Sequence, residues 1–184
     1  MKTMPFSAYC PEPLIRHPLD LLWLPFTLCR AVFYAAAPFI WPSGIFRGIR
    51  TLDFNRKSRS SFDLKINDAL AMIEQNDRRR FERVRREIRL IVYDRWLIEP
   101  LAPGAYFRLA KVCLINLKRF DFSKSPQFET ALLAGLIVYL ATHGVLHRKR
   151  LPNVDRVKAL CHKEEVRLLL KLGYDMHGFS IIKP

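Results

Sequence analysis

His143 and His147 stand four residues apart, and the pair Glu164-Glu165 follows with His162 close before it. These residue types bind transition metals. On a helix, positions i and i+4 project from one face, so both imidazoles could hold one ion, with either glutamate closing the set. Zinc would then be the cofactor, and a metal-dependent hydrolase built on His143, His147 and Glu164 or Glu165 is one reading of the chain. In a plainer reading, His147 opens the exposed run His147-Arg148-Lys149-Arg150, whose bases satisfy the last carbonyls and the dipole of a helix end. The plainer reading is preferred because spacing alone is a weak signal, and on it no cofactor is expected. Other chemistries lack their residues. There is no G-x-S-x-G elbow or Cys-His context for a nucleophile, and none of the seven glycines falls in a phosphate-loop pattern.

Four segments occur in a set order: the basic run Asp77–Arg89, the apolar run Val112–Leu117, the helix-like stretch 128–147, and Cys161-His162-Lys163-Glu164-Glu165. Within the third, five positions read Tyr139-Leu140-Ala141-Thr142-His143. This order resembles a group of small, mostly uncharacterised bacterial zincin-like metallopeptidases, over roughly residues 62–172. In that family a basic helix and a short strand lead into a V-H-E-A-T-H helix, and a C-x-x-E-E pair follows. The two histidines of H-E-x-x-H hold zinc and the glutamate activates the bound water.

The resemblance implies a predominantly helical α+β fold, with a short strand at Val112–Leu117 packed near a central buried helix. It makes His143 the surviving histidine and a glutamate of the 164–165 pair the vestigial third ligand. Tyr139 stands where the first histidine belongs and Leu140 where the general base belongs. No aliphatic side chain takes a proton from water, so the expectation is a non-catalytic relative, a pseudoenzyme that binds through its basic surface or its vestigial cleft. An apolar helix over 130–146 is equally what the core helix of any α-rich domain looks like, with His143 hydrogen-bonded near its end.

The elements that must position these residues follow from spacing. Ser61 or Asp63 caps a helix running to about Gln75, with Leu64, Ala69, Leu70 and Ile73 on its apolar side. Asn76-Asp77 closes it and caps the next. From Arg78 to about Leu97, Phe81, Val84, Ile88 and Ile91 recur at steps of three and four, which predicts one amphipathic helix. Its other face carries Arg79, Arg83, Arg86 and Arg89, with Glu82 and Glu87 as partial partners. Pro100 and Pro103-Gly104 break the chain, Pro152 separates the core helix from a final one at about 153–172, and Gly173 ends that.

Residues 19–42 are apolar and aromatic, interrupted by Asp20 and Arg30 and punctuated by Pro25 and Pro38. A signal peptide would begin earlier. As a membrane span the block is marginal, since a central arginine costs about 2.5–3.5 kcal/mol on insertion scales. It reads either as an interfacial anchor, followed by the bases Arg47, Arg50, Arg56, Lys57 and Arg59, or as an arm packed on the domain or on a partner. In a soluble fold Arg30 needs a carboxylate or water; in an interfacial helix it snorkels to phosphates. The division expected is an arm and basic linker over 1–60 and a helical domain over 61–184. The formal net charge of +14 asks for a polyanion. The expected partner is an anionic membrane surface, at its cytoplasmic face, or a protein partner, including a larger complex of which this chain is an accessory subunit. Nucleic acid is not expected, because no aromatics interleave with the bases at stacking spacing. The four cysteines form no C-x-x-C pair, and Cys29 and Cys113 read as small buried hydrophobes.

Overall fold

A computed structural model describes residues 24–41, 44–54, 59–93, 103–123, 125–149 and 154–174. The elements are α1 (Leu24–Ile40), β1 (Gly44–Phe46), β2 (Ile49–Asp53), α2 (Arg59–Asn76), α3 (Arg78–Glu87), β3 (Leu90–Tyr93), β4 (Gly104–Phe107), β5 (Val112–Ile115), α4 (Pro126–Arg148) and α5 (Val154–Lys171). The chain is an α+β fold, mostly helical, with one mixed sheet in the order β1-β2-β3-β5-β4. β2, β3 and β5 run parallel, and β1 and β4 lie antiparallel at the edges.

Register explains why the sheet needs a cover on both sides. Leu52, Val92, Leu114 and Ala105 stand side by side across β2, β3, β5 and β4, and all face one side. Ile91, Cys113 and Tyr106, one residue along, face the other. Strands buried on both faces read as continuous apolar runs rather than as alternation, and β3, β4 and β5 are buried at every position. Helices α2 to α5 cover the face of Ile91, Cys113 and Tyr106. Phe62, Ile66, Ala69, Leu70 and Ile73 of α2 fall at helical spacing and join Phe81 and Val84 of α3 in that core. Helix α4 runs through its middle, buried continuously from Ala131 to Gly144. It is long and apolar enough to cross a membrane, but that burial makes it the core helix of this face.

Among the described residues, α1 alone covers the opposite face, through Tyr34 and Ala37 set against Leu52, Val92, Phe107 and Leu114. The sheet therefore draws strands from both sides of the division expected at residue 60, since β1 and β2 precede it. Those two strands meet in a two-residue hairpin turn at Arg47-Gly48, where both residues have positive φ (49° and 89°) as a tight turn between twisted strands requires.

Four expectations change. Helix α2 begins at Arg59, so Ser61 and Asp63 lie inside it rather than capping it, and Leu64, expected on its apolar side, is exposed. The helix from Arg78 stops at Glu87 instead of continuing to Leu97. Ile88 turns extended (ψ 119°), and β3 begins two residues later. The step of Phe81, Val84, Ile88 and Ile91 runs through the helix end by coincidence, because Ile91 is spaced by the sheet between Thr51 and Cys113. The strand expected at Val112–Leu117 is present as β5, one of five rather than a lone strand. Cys29 is exposed, whereas Cys113 is buried and burial pushes its thiol pKa well up.

Candidate functional site

Helix α3 starts where Asp77 accepts the Arg80 backbone N–H at 3.0 Å. The same carboxylate takes the Arg80 guanidinium and, at 3.3 Å, Lys171 of α5. Burial would raise the Asp77 pKa, but these hydrogen bonds hold it below its ordinary value. This cap turns the arginines of α3 toward α5. Between α3, the end of α4 and α5 lies a cleft of about 720 Å³, lined by Arg79, Arg83 and Arg86 as the sequence predicts. Lys149, Lys163 and Arg167 also line it and went unnoticed in the sequence, because α4 and α5 bring them in from far along the chain.

Glu164 lies in this cleft as the anchor of its arginines. Arg83 Nη1 donates to Glu164 Oε2 at 2.9 Å and to Thr142 Oγ1 at 3.0 Å. Arg80 (3.3 Å) and Arg167 (3.0 Å) share the same carboxylate. Burial raises the Glu164 pKa, but the hydrogen bonds from Arg83 and Arg167 and the nearby charges outweigh it, so the carboxyl is held below its usual range. Glu165 points into the α4–α5 contact. It is buried, accepts from His162 Nδ1 at 3.0 Å, and approaches the helix surface where Gly135 leaves room (an added Cβ would lie 3.2 Å from Glu165 Cγ). That carboxylate raises the His162 pKa, against a smaller opposing effect of burial.

The two histidines do share a face, with ring centroids 4.4 Å apart. His143 is buried at 7 % exposure and its Nδ1 has no hydrogen-bond partner. Its ring meets the edge of Tyr106, whose hydroxyl donates to the Glu87 carbonyl at 3.0 Å, and the same tyrosine fills the space beside Gly144. Burial, then the charges of His147 and Lys158, push its pKa down to about 4. Burial and Arg108 lower that of His147. Tyr139 and Leu140 are buried in the helical core, Leu140 packing toward Gly104 of β4. The carboxylates named as further ligands are otherwise engaged, Glu164 by three guanidinium groups and Glu165 by His162. Among the described residues no cluster of three or more His, Cys, Asp or Glu side chains is placed to hold a metal ion. A catalytic zinc needs three protein ligands and an open position; of the residues named, His143 and His147 stand together, while the two glutamates are turned to other partners.

The remaining basic residues are spread. Arg47 pairs with Glu74 at 3.4 Å. Arg56 and Lys57 lie outside the described residues, as does the side chain of Arg59, which opens α2. Arg50 lies on the α1 side of the sheet, over the Phe39 ring at 5.2 Å. Glu87, expected as an exposed helix partner, is buried and takes Arg148 of α4 at 2.6 Å as well as Arg86 at 3.2 Å. Among the described residues Arg30 meets no carboxylate. Its guanidinium lies 5.7 Å from the Tyr34 ring and 5.2 Å from the Phe107 ring, and Nε and Nη2 are buried without a hydrogen-bond partner. No protein-family model matches the chain, and no curated protein or solved structure is significantly similar to it.

Proposed function

We propose that this chain is a non-catalytic binding protein that rests on an anionic membrane surface through the outer side of α1, its domain on the cytoplasmic side. One observation carries the reading. Helix α1 turns Tyr34 and Ala37 to the sheet and leaves an apolar face outward, with Val32 and Ile40 each 67 % exposed and Phe39 81 %. A contiguous apolar face bordered by bases is what an interfacial helix offers to headgroups and acyl chains. Arg30, taken up over two aromatic rings, leaves that face without a charge at its centre.

A deletion up to residue 60 would remove β1 and β2 from the sheet, so point substitutions in the whole chain test the reading. With Val32→Glu and Phe39→Glu together, co-sedimentation with anionic vesicles should fall at least tenfold, since two buried apolar side chains are each worth about 1.5–3 kcal/mol. Thermal stability should stay unchanged. Wild-type protein that stays in the supernatant with such vesicles at low salt sinks the reading.

The rival is a metal-dependent hydrolase on His143 and His147, favoured by the unpartnered Nδ1 of His143. Stoichiometric zinc in protein purified without chelator, lost in His143→Ala and in His147→Ala, would establish it.

A further inference from the structure

Three bases from distant parts of the sequence stand in a row where the parallel strands begin. Arg50 is the second residue of β2, Arg89 precedes β3 and Lys111 precedes β5. Their backbones are linked directly: the Arg50 N–H donates to the Arg89 carbonyl at 3.0 Å, and the Arg89 N–H to the Lys111 carbonyl at 2.9 Å. Adjacent strands lie about 4.8 Å apart, so the backbones that carry the three bases follow one another at that repeat where the strands begin. All three line a groove of about 890 Å³ whose other wall is α1, through Val32, Ala35 and Pro38. No carboxylate lines this groove, and among the described residues none of the three bases forms an ion pair. Lys111 also holds a left-handed backbone (φ 52°), which an extended side chain adopts at a cost that glycine would avoid. Its ammonium donates to the Arg86 carbonyl in the last turn of α3 at 3.1 Å.

Like charges gathered beside an apolar wall repel one another unless an anion lies among them. The anion that fits must also carry apolar matter to lie along α1. We propose that the groove between α1 and the entry edge of β2, β3 and β5 binds the phosphomonoester headgroup of an anionic lipid, with its chains directed along the exposed face of α1. A phosphomonoester offers up to two charges and three acceptor oxygens, enough for guanidinium and ammonium donors together, whereas a diester headgroup offers one charge and two such oxygens. The proposal rests on the membrane reading of α1 and adds a headgroup preference to it.

The test uses the full chain and vesicles of phosphatidylcholine containing either phosphatidic acid or phosphatidylglycerol, matched for surface charge. Wild type should bind the phosphatidic acid vesicles about tenfold more tightly, the difference expected of one additional charge-assisted contact set. In Arg89→Ala with Lys111→Gly, general attraction should weaken for both vesicles and the ratio should fall to one. Lys111→Gly alone removes one exposed hydrogen bond but relieves its left-handed backbone, and its thermal unfolding checks that the fold is kept; it should reduce the ratio in part. Equal binding of wild type to the two vesicles, or an undiminished ratio in both variants, overturns the headgroup site while leaving the membrane reading intact. Binding to neither vesicle defeats both. Binding of inorganic phosphate as tight as that of the phosphatidic acid vesicles would assign the groove to a soluble phosphate and overturn the lipid.

Discussion

On the α4 side of the sheet four carboxylates hold bases or a histidine: Glu164 takes Arg80, Arg83 and Arg167, Asp77 takes Arg80 and Lys171, Glu87 takes Arg86 and Arg148, and Glu165 takes His162. On the α1 side Arg50, Arg89 and Lys111 line a groove without an acid, beside a helix that keeps apolar residues outward. A net charge of +14 is therefore two different things in one chain. In the α3–α4–α5 cleft, positive charge ties three helices together, and removing its counter-charge costs stability. At the sheet edge no carboxylate answers it among the described residues, and Lys111 donates to the Arg86 carbonyl instead, so removing Arg89 should cost the fold little.

The largest expected effect lies at the junction of the two regions. Tyr34→Ala removes the side chain that seats α1 and carries Arg30, and should cost about 3–5 kcal/mol in urea unfolding. Trp41 fluorescence should report it early, since that ring packs with Phe33 and Phe54 beside α1. A loss under about 1 kcal/mol would mean that α1 is not held to the sheet as described.

The next effect is a dependence on pH confined to the α4 side. The unfolded chain protonates His143 near pH 6.5, whereas the folded chain resists until about 4. Stability from this group is complete above pH 6.5 and is lost as pH falls toward 4, by roughly 3 kcal/mol in all. His147 acts in the same direction. His162 acts oppositely: its raised pKa stabilises below 6.5, and that contribution is lost as pH rises through the folded value. In His143→Leu the fall in stability between pH 6.5 and 4 should shrink by most of that amount. An unchanged slope would show that His143 is solvated.

The smallest effects give the sharpest contrast. Glu164→Gln leaves Arg80, Arg83 and Arg167 without their shared charge and should cost about 2 kcal/mol. Arg89→Ala should change stability by less than about 0.5 kcal/mol. Equal losses at the two sites would erase the distinction between a structural and a docking use of charge.

Helices were legible because their contacts are local. The periodicity of α2, the unbroken apolar run of α4 and the glycine after α5 are all read within a few residues of each other, and Gly173 does take the left-handed backbone (φ 84°) expected of it. Strands were largely illegible. β3 continues the helical spacing of α3, and β3 to β5 are buried on both faces, so no alternation marks them. The site divided in the same way. The arginines of α3 stand out in the sequence, but Lys163 and Arg167 join them only through the packing of α5.

What the sequence by itself determined is chemistry that depends on identity: Leu140 cannot act as a base wherever it lies, and bases outnumber acids to a formal net charge of +14. What only the tertiary structure decided is which of those bases are already answered. Glu164 looks like a metal ligand until three guanidinium groups converge on it from α3 and α5. Arg50, Arg89 and Lys111 become neighbours only because parallel strands, whose connections run through whole helices and an intervening strand, all start from the same edge.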